Sequence, residues 1–189
     1  MNTAVSQFAE AITLRSGAAA VLRAIRPDDR ERLQAAFHAL DPESVYLRYF
    51  SYKNELTEAD LDRLCAPDFA VRVVLVVTQQ VASAEIIVGT GGYVAHDAPD
   101  GVRAAEVAFA VEEDVHGQGI ASKLLATLTP IARAAGIRRF DAEVLSRNTA
   151  MLHVFEHSGL PMQAEPPDDG VVRLSLSLAV LPSPAGASR

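Results

Sequence analysis

Cysteine is almost missing from this 189-residue chain: Cys65 stands alone, so no internal disulfide can form and no Cys-x-x-Cys or Cys/His zinc spacing exists. A reducing compartment, the cytoplasm, is expected. Uninterrupted apolar runs are short. No stretch of about 18 uncharged apolar residues occurs, and the opening MNTAVSQFAEAITLRSG carries Glu10 and lacks a basic-then-apolar export pattern. Neither a membrane span nor a secretion signal is therefore expected. Positive charge is in deficit: 17 basic against 24 acidic residues leave a net charge of −7, which argues against a broad phosphate-backbone footprint and against nucleic acid as partner. Lysine is scarcer still, with only Lys53 and Lys123 among the basic residues. The run GxxxxGK[ST] is absent, which removes nucleotide hydrolysis of that type. No cluster of Asp, His or Cys shows metal spacing, and no metal is expected. No internal repeat is visible.

What remains is a chain that is 49% hydrophobic and 22% charged, the composition of one ordinary globular domain. Residues 12–15 and 19–25 flank Ser16-Gly17-Ala18 and predict an opening hairpin. Pro27-Asp28-Asp29 starts a helix over 28–39 carrying Leu33, Ala36, Phe37 and Leu40 at helical spacing. Two further helices follow, one from Asp41-Pro42-Glu43 through Tyr49 and one capped by Thr57-Glu58-Ala59-Asp60. Tyr46, Arg48, Tyr49, Phe50 and Tyr52 form an aromatic cluster, read as packing with a secondary role at an acceptor entrance. From Phe69 the pattern turns β-branched, and 70–113 reads as a three-stranded antiparallel meander. A helix over 118–135, which Pro130 should kink or split, a strand over 140–145, a helix from Asn148 to His157 and a closing hairpin through PPDDG complete the series. The expected layout is a flexible segment 1–11, one domain over 12–178 and a flexible tail 179–189.

The informative stretch is AEVAFAVEEDVHGQGIASKLL, residues 105–125, where a strand ends, a loop bends and glycines lead into a helix. Unpaired amides at a helix start meet the positive end of the dipole and can hold a pyrophosphate without lysine. Gly117 and Gly119 let phosphates approach the main chain. Gly117-x-Gly119-x-x-Ser122, followed by Asp141 or Glu143, also fits a dinucleotide fingerprint, but an antiparallel meander precedes it and too little chain follows.

The element order and the run His116-Gly117-Gln118-Gly119-Ile120-Ala121 resemble the GNAT superfamily of acyl-CoA-dependent N-acetyltransferases over residues 12–178. IRPDDRERLQ, DPESVYLRYFS, LTEADLDRL, AEVAF and NTAMLHVFEHSGL are similar to the acetyltransferase domains of bacterial protein lysine acetyltransferases. The resemblance implies an α/β (α+β type) fold with a mixed, mostly antiparallel central sheet flanked by helices. It also implies acetyl-CoA as co-substrate and an amine acceptor, a protein lysine foremost and a small molecule otherwise.

By the same resemblance Glu106 is the general base, its carboxylate expected to be partly desolvated beside apolar groups with a raised pKa. Phe109, Ala110 and Val111 would pair with the pantetheine arm and supply an amide to the oxyanion. His116, Gly117, Gln118, Gly119, Ile120, Ala121 and Ser122 would hold the pyrophosphate, and Asn148 would contact CoA, although a helix N-cap explains Asn148 equally well. Two positions depart from the family: His116 replaces Gln or Arg, and Phe155 stands where many members place a thiolate-protonating tyrosine. These departures keep open a CoA-binding module without catalysis. His153 and His157 are read as solvated helix residues, and Cys65 as a small buried side chain.

Overall fold

Runs of valine and alternating apolar residues build one eight-stranded sheet in the computed structural model, which describes residues 3–40, 42, 45 and 55–179. The strands are β1 (Ala9–Thr13), β2 (Ala19–Ala24), β3 (Arg72–Val81), β4 (Ala84–Asp97), β5 (Arg103–Val111), β6 (Arg139–Leu145), β7 (Met162–Ala164) and β8 (Val171–Ser177). Their spatial order is β1-β2-β3-β4-β5-β6-β8-β7, and every pairing is antiparallel except β5 with β6. The helices are α1 (Thr3–Ser6), α2 (Arg30–Ala39), α3 (Glu58–Cys65), α4 (Ile120–Ala134) and α5 (Thr149–Glu156). The expected fold class is the observed one. An antiparallel β4–β5 pair ahead of the glycine loop is incompatible with the dinucleotide fold.

The helices α2 and α4 cover opposite faces. On β4, Gly91 sits opposite Phe109 and turns toward α4, where an added Cβ would lie 2.6 Å from the Phe109 ring and 3.2 Å from Leu124 Cβ. The next pair, Thr90 and Ala110, lines a small hollow with Leu33 and Leu40 on the α2 side. Val73, Leu75, Val76 and Val77 of β3 are fully buried between these layers, which fits their continuous apolar run.

At the base of α2 lies a buried ion pair. Arg23 gives its Nη1 and Nη2 hydrogens to both oxygens of Asp29, at 2.7 and 2.8 Å, and its Nε to Glu85 at 3.2 Å. Asp29 also accepts the Arg26 amide at 2.8 Å and an Arg32 guanidinium hydrogen at 3.1 Å. Burial alone would push the Asp29 carboxyl up, yet the Arg23 hydrogen bonds and the Arg26 amide hold it below the ordinary carboxylate range.

Two expectations change. The ordered chain begins before residue 12, with α1 and with β1 from Ala9, and Val5 is buried. Helix α4 runs unbroken through Pro130, which sits on its exposed side, so that its missing amide removes a bond only where water can satisfy the freed carbonyl. The predicted helix from Asp41 and the aromatic cluster lie outside the described residues apart from Pro42 and Val45, as does the tail beyond Ala179. Thr57 caps α3 as expected, exchanging hydrogen bonds with Asp60. Cys65 is buried there, and burial pushes its thiol up to about 11.

Candidate active site

Strand β5 is paired with β4 along its whole length, but with β6 over only Ala104, Ala105 and Glu106, opposite Arg139, Phe140 and Asp141. Beyond that point the two strands part, and β6 continues on β8 alone. The fork opens a cleft of about 760 Å³, within the usual size of a small-molecule site. Its walls are β5 from Glu106 to Val111, β6 from Ala142 to Val144, the glycine loop, and α5 from Asn148 onward. Backbone groups of β5 beyond Glu106 have no strand partner on this side, an edge suited to an extended ligand.

At the far end of the cleft is the loop before α4. Gly117 and Gly119 hold φ of +74° and +85°, the left-handed region, and nothing stands over Gly117 within 4 Å of where a Cβ would be. The first backbone bond of α4 runs from the Lys123 amide to the Gly119 carbonyl at 2.9 Å, so the amides of Ile120, Ala121 and Ser122 precede that ladder. His116, Gly117, Gly119, Ile120, Ala121 and Ser122 all line the cleft.

Two loop side chains behave differently from expectation. The Gln118 Oε1 accepts the Ser16 amide at 2.8 Å, which turns this side chain away from the cleft and into the β1–β2 turn. His116 Nε2 donates to the Val111 carbonyl at 2.8 Å, folding back on the end of β5. The Val111 carbonyl is thus already engaged, while Phe109, Ala110 and Val111 all line the cleft. Asn148 is an N-cap, its Oδ1 accepting the Met151 amide at 3.1 Å, and it lines the cleft as well.

Glu106 is exposed, not desolvated: it is the last residue of β5 paired with β6, and the fork that opens just beyond it admits solvent. It also borders a second cavity of about 240 Å³ on the opposite side of β5, walled by Leu33, Leu56, Leu64 and Val94 with Asp60, Arg63 and Arg72 among its polar groups. Glu106 and Ala108 belong to both cavities. Phe155 is buried at the cleft wall and packs on Phe109, ring centroids 6.0 Å apart.

Arg15 was not foreseen. Its Nη1 donates to the Gly117 carbonyl at 3.0 Å, and its Nε lies 3.5 Å from where a Gly119 Cβ would be. This places a guanidinium over the glycine loop and on the wall of the cleft. No local pattern could reveal it, since the contact joins residues 102 positions apart. Among the described residues one group combines histidines with a glutamate: His153, Glu156 and His157 offer ligand atoms all within 4.8 Å of one another. The signal was His-x-x-Glu-His, whose i, i+3 and i+4 positions share one helix face.

Residues 20–161 match the family model described as the acetyltransferase (GNAT) domain. The chain is 33% identical over 161 residues to acetyltransferase Pat of Mycolicibacterium smegmatis, covering 85% of this chain and 46% of that protein. It therefore spans about half the length of that relative. The crystal structure of the GNAT domain of S. lividans PAT superposes with a TM-score of 0.78 at 35% identity, over 89% of this chain and 96% of that one. A Salmonella typhimurium protein solved with its cofactor acetyl-CoA shares the fold alone, with a TM-score of 0.66 at 18% identity over 89% of this chain and 99% of that one. The forked β5–β6 pair, the glycine loop and a family model spanning most of the chain lead to one assignment: the chain belongs to the GNAT acetyltransferase family.

Proposed function

We propose that the protein moves an acetyl group from acetyl-CoA to a primary amine, with a protein lysine ε-amine as acceptor. The observation that carries this reading is the position of Glu106, an exposed carboxylate at the fork that borders both the large cleft and the smaller cavity. One cavity suits the acyl donor and the other the amine, so the carboxylate lies where the two substrates would meet. The apolar walls of the smaller cavity suit the aliphatic stem of a lysine.

In this reading pyrophosphate rests on the amides of the glycine loop, with Arg15 adding a fixed charge where His116 has turned away. The pantetheine arm pairs with β5 near Phe109 and Ala110, and Asn148 contacts it from α5. Glu106 takes a proton from the ammonium, directly or through water, and the freed nitrogen attacks the thioester carbonyl carbon. The C–N bond forms, the nitrogen gives up its second proton to water, the C–S bond breaks, and the electron pair leaves on sulfur. A β5 amide near Val111 faces the developing oxyanion. Phe155 has no proton to give, so the thiolate departs as such or takes a proton from water. Acetyl-CoA supply and the single buried thiol agree with the cytoplasm as the place of action.

Arg63 and Arg72 at the smaller cavity favour a second reading, an acceptor that carries a carboxylate near its amine. Calorimetric titration with acetyl-CoA, followed by a free-thiol release assay over lysine peptides and small amines, tests both. Binding with release on peptides supports the first reading, and release only on small amino acids supports the second. Binding without release on any amine leaves a CoA-binding module, and absence of binding removes the proposal.

A further inference from the structure

The exposed face of α5 carries donors that the transfer reaction does not use. His153 and His157 stand one turn apart with ring centroids 3.8 Å from each other, and Glu156 joins them on the same face. His157 Nδ1 lies 3.0 Å from the His153 carbonyl oxygen. A carbonyl only accepts, so Nδ1 bears the proton and Nε2 presents its lone pair outward. Fixing one ring nitrogen on a backbone carbonyl is the outer support that histidine ligands of metal ions ordinarily have. The three donor atoms lie within 4.8 Å of one another. A tetrahedral zinc with bonds of about 2.1 Å needs them at about 3.4 Å, a closing that exposed side chains reach by rotation.

We propose that His153, Glu156 and His157 bind one divalent transition-metal ion, with zinc the best fit. Two imidazoles and one carboxylate are the donor set of an open zinc site, whereas magnesium and calcium need several oxygen ligands, of which this group supplies the one carboxylate. Three protein ligands leave a fourth position. Of the three only His153 also borders the large cleft, and all three are exposed, so the fourth position faces solvent on the outer side of α5. The site is independent of acetyl transfer and of Glu106.

The test is calorimetric titration of the untagged full chain with zinc chloride, with circular dichroism to verify folding. One zinc per chain is expected in the wild type. Loss of an outer-shell partner alone costs roughly 10–100-fold in metal affinity. His153→Ala and His157→Ala should therefore weaken binding about tenfold or more, and Glu156→Gln several-fold. His157→Gln serves as a second variant that keeps side-chain volume. His38→Ala, on α2, should change nothing. Saturable binding that survives the α5 substitutions, or no saturable binding at all, overturns the site.

Discussion

Two polar clusters in this protein have opposite surroundings. At the base of α2, Arg23 and Asp29 are shut away from water, and the carboxylate is met by Arg23, Arg32 and the Arg26 amide. At the β5–β6 fork, Glu106 stands open to two cavities, and the neighbouring strand edge and glycine loop leave amides without strand or helix partners. A polar group enclosed by partners holds the fold in one arrangement, and one left facing a cavity is available to a substrate. On the function proposed above, the first cluster serves stability and the second serves chemistry.

Exchanging the roles would break that assignment. Glu106→Gln should lower turnover by about 10²–10⁴-fold while leaving CoA affinity and melting temperature near wild type. Steady-state thiol release and thermal melts check both halves, and unchanged turnover would take Glu106 out of the mechanism. Asp29→Ala should do the reverse. It leaves the Arg23 charge buried without its main partner and should cost about 3–5 kcal/mol of stability in urea unfolding, with turnover per folded molecule preserved. The pH dependence follows from the depressed Asp29 carboxyl. Its contribution is fully present above the unfolded value near pH 4 and is lost as pH falls through the lower folded value. Acid melts of Asp29→Asn should lack that part of the decline.

Smaller effects sharpen the division within the cleft. Gly119→Val forces a branched side chain into φ of +85° and into the phosphate approach, and should weaken CoA binding about tenfold or more by calorimetry. Arg15→Ala should weaken it by about tenfold, the worth of a modest charge-assisted contact, and the difference should shrink at high salt. Equal affinity of this variant across salt concentrations would return Arg15 to a purely structural role in docking the β1–β2 turn.

Much of this was legible along the chain. The meander from Arg72 to Val111 was readable because valine runs and the Pro99-Asp100-Gly101 turn act locally, and the glycine loop because Gly117 and Gly119 flank a helix start. Part of what escaped depends on distant stretches of the chain. Arg15 reaches the loop only because β1 and β2 bring their turn to it, and Gln118 turns aside for the same reason. His116 bends back because the Val111 carbonyl lies within its reach at the end of β5. The alternation of Glu106, Ala108 and Ala110 against Val107, Phe109 and Val111 already allowed an outward Glu106, but the fork at which β6 leaves β5 could not be read from it. The unbroken α4 at Pro130 depended on which side of the helix meets water.

Amide hydrogen exchange with and without acetyl-CoA tests the central claim most directly, because it reads both clusters in one sample. The account predicts added protection over Val107–Val111 and Gly117–Ser122 and no change over Arg23–Asp29. Protection elsewhere with residues 107–122 unaltered would contradict it.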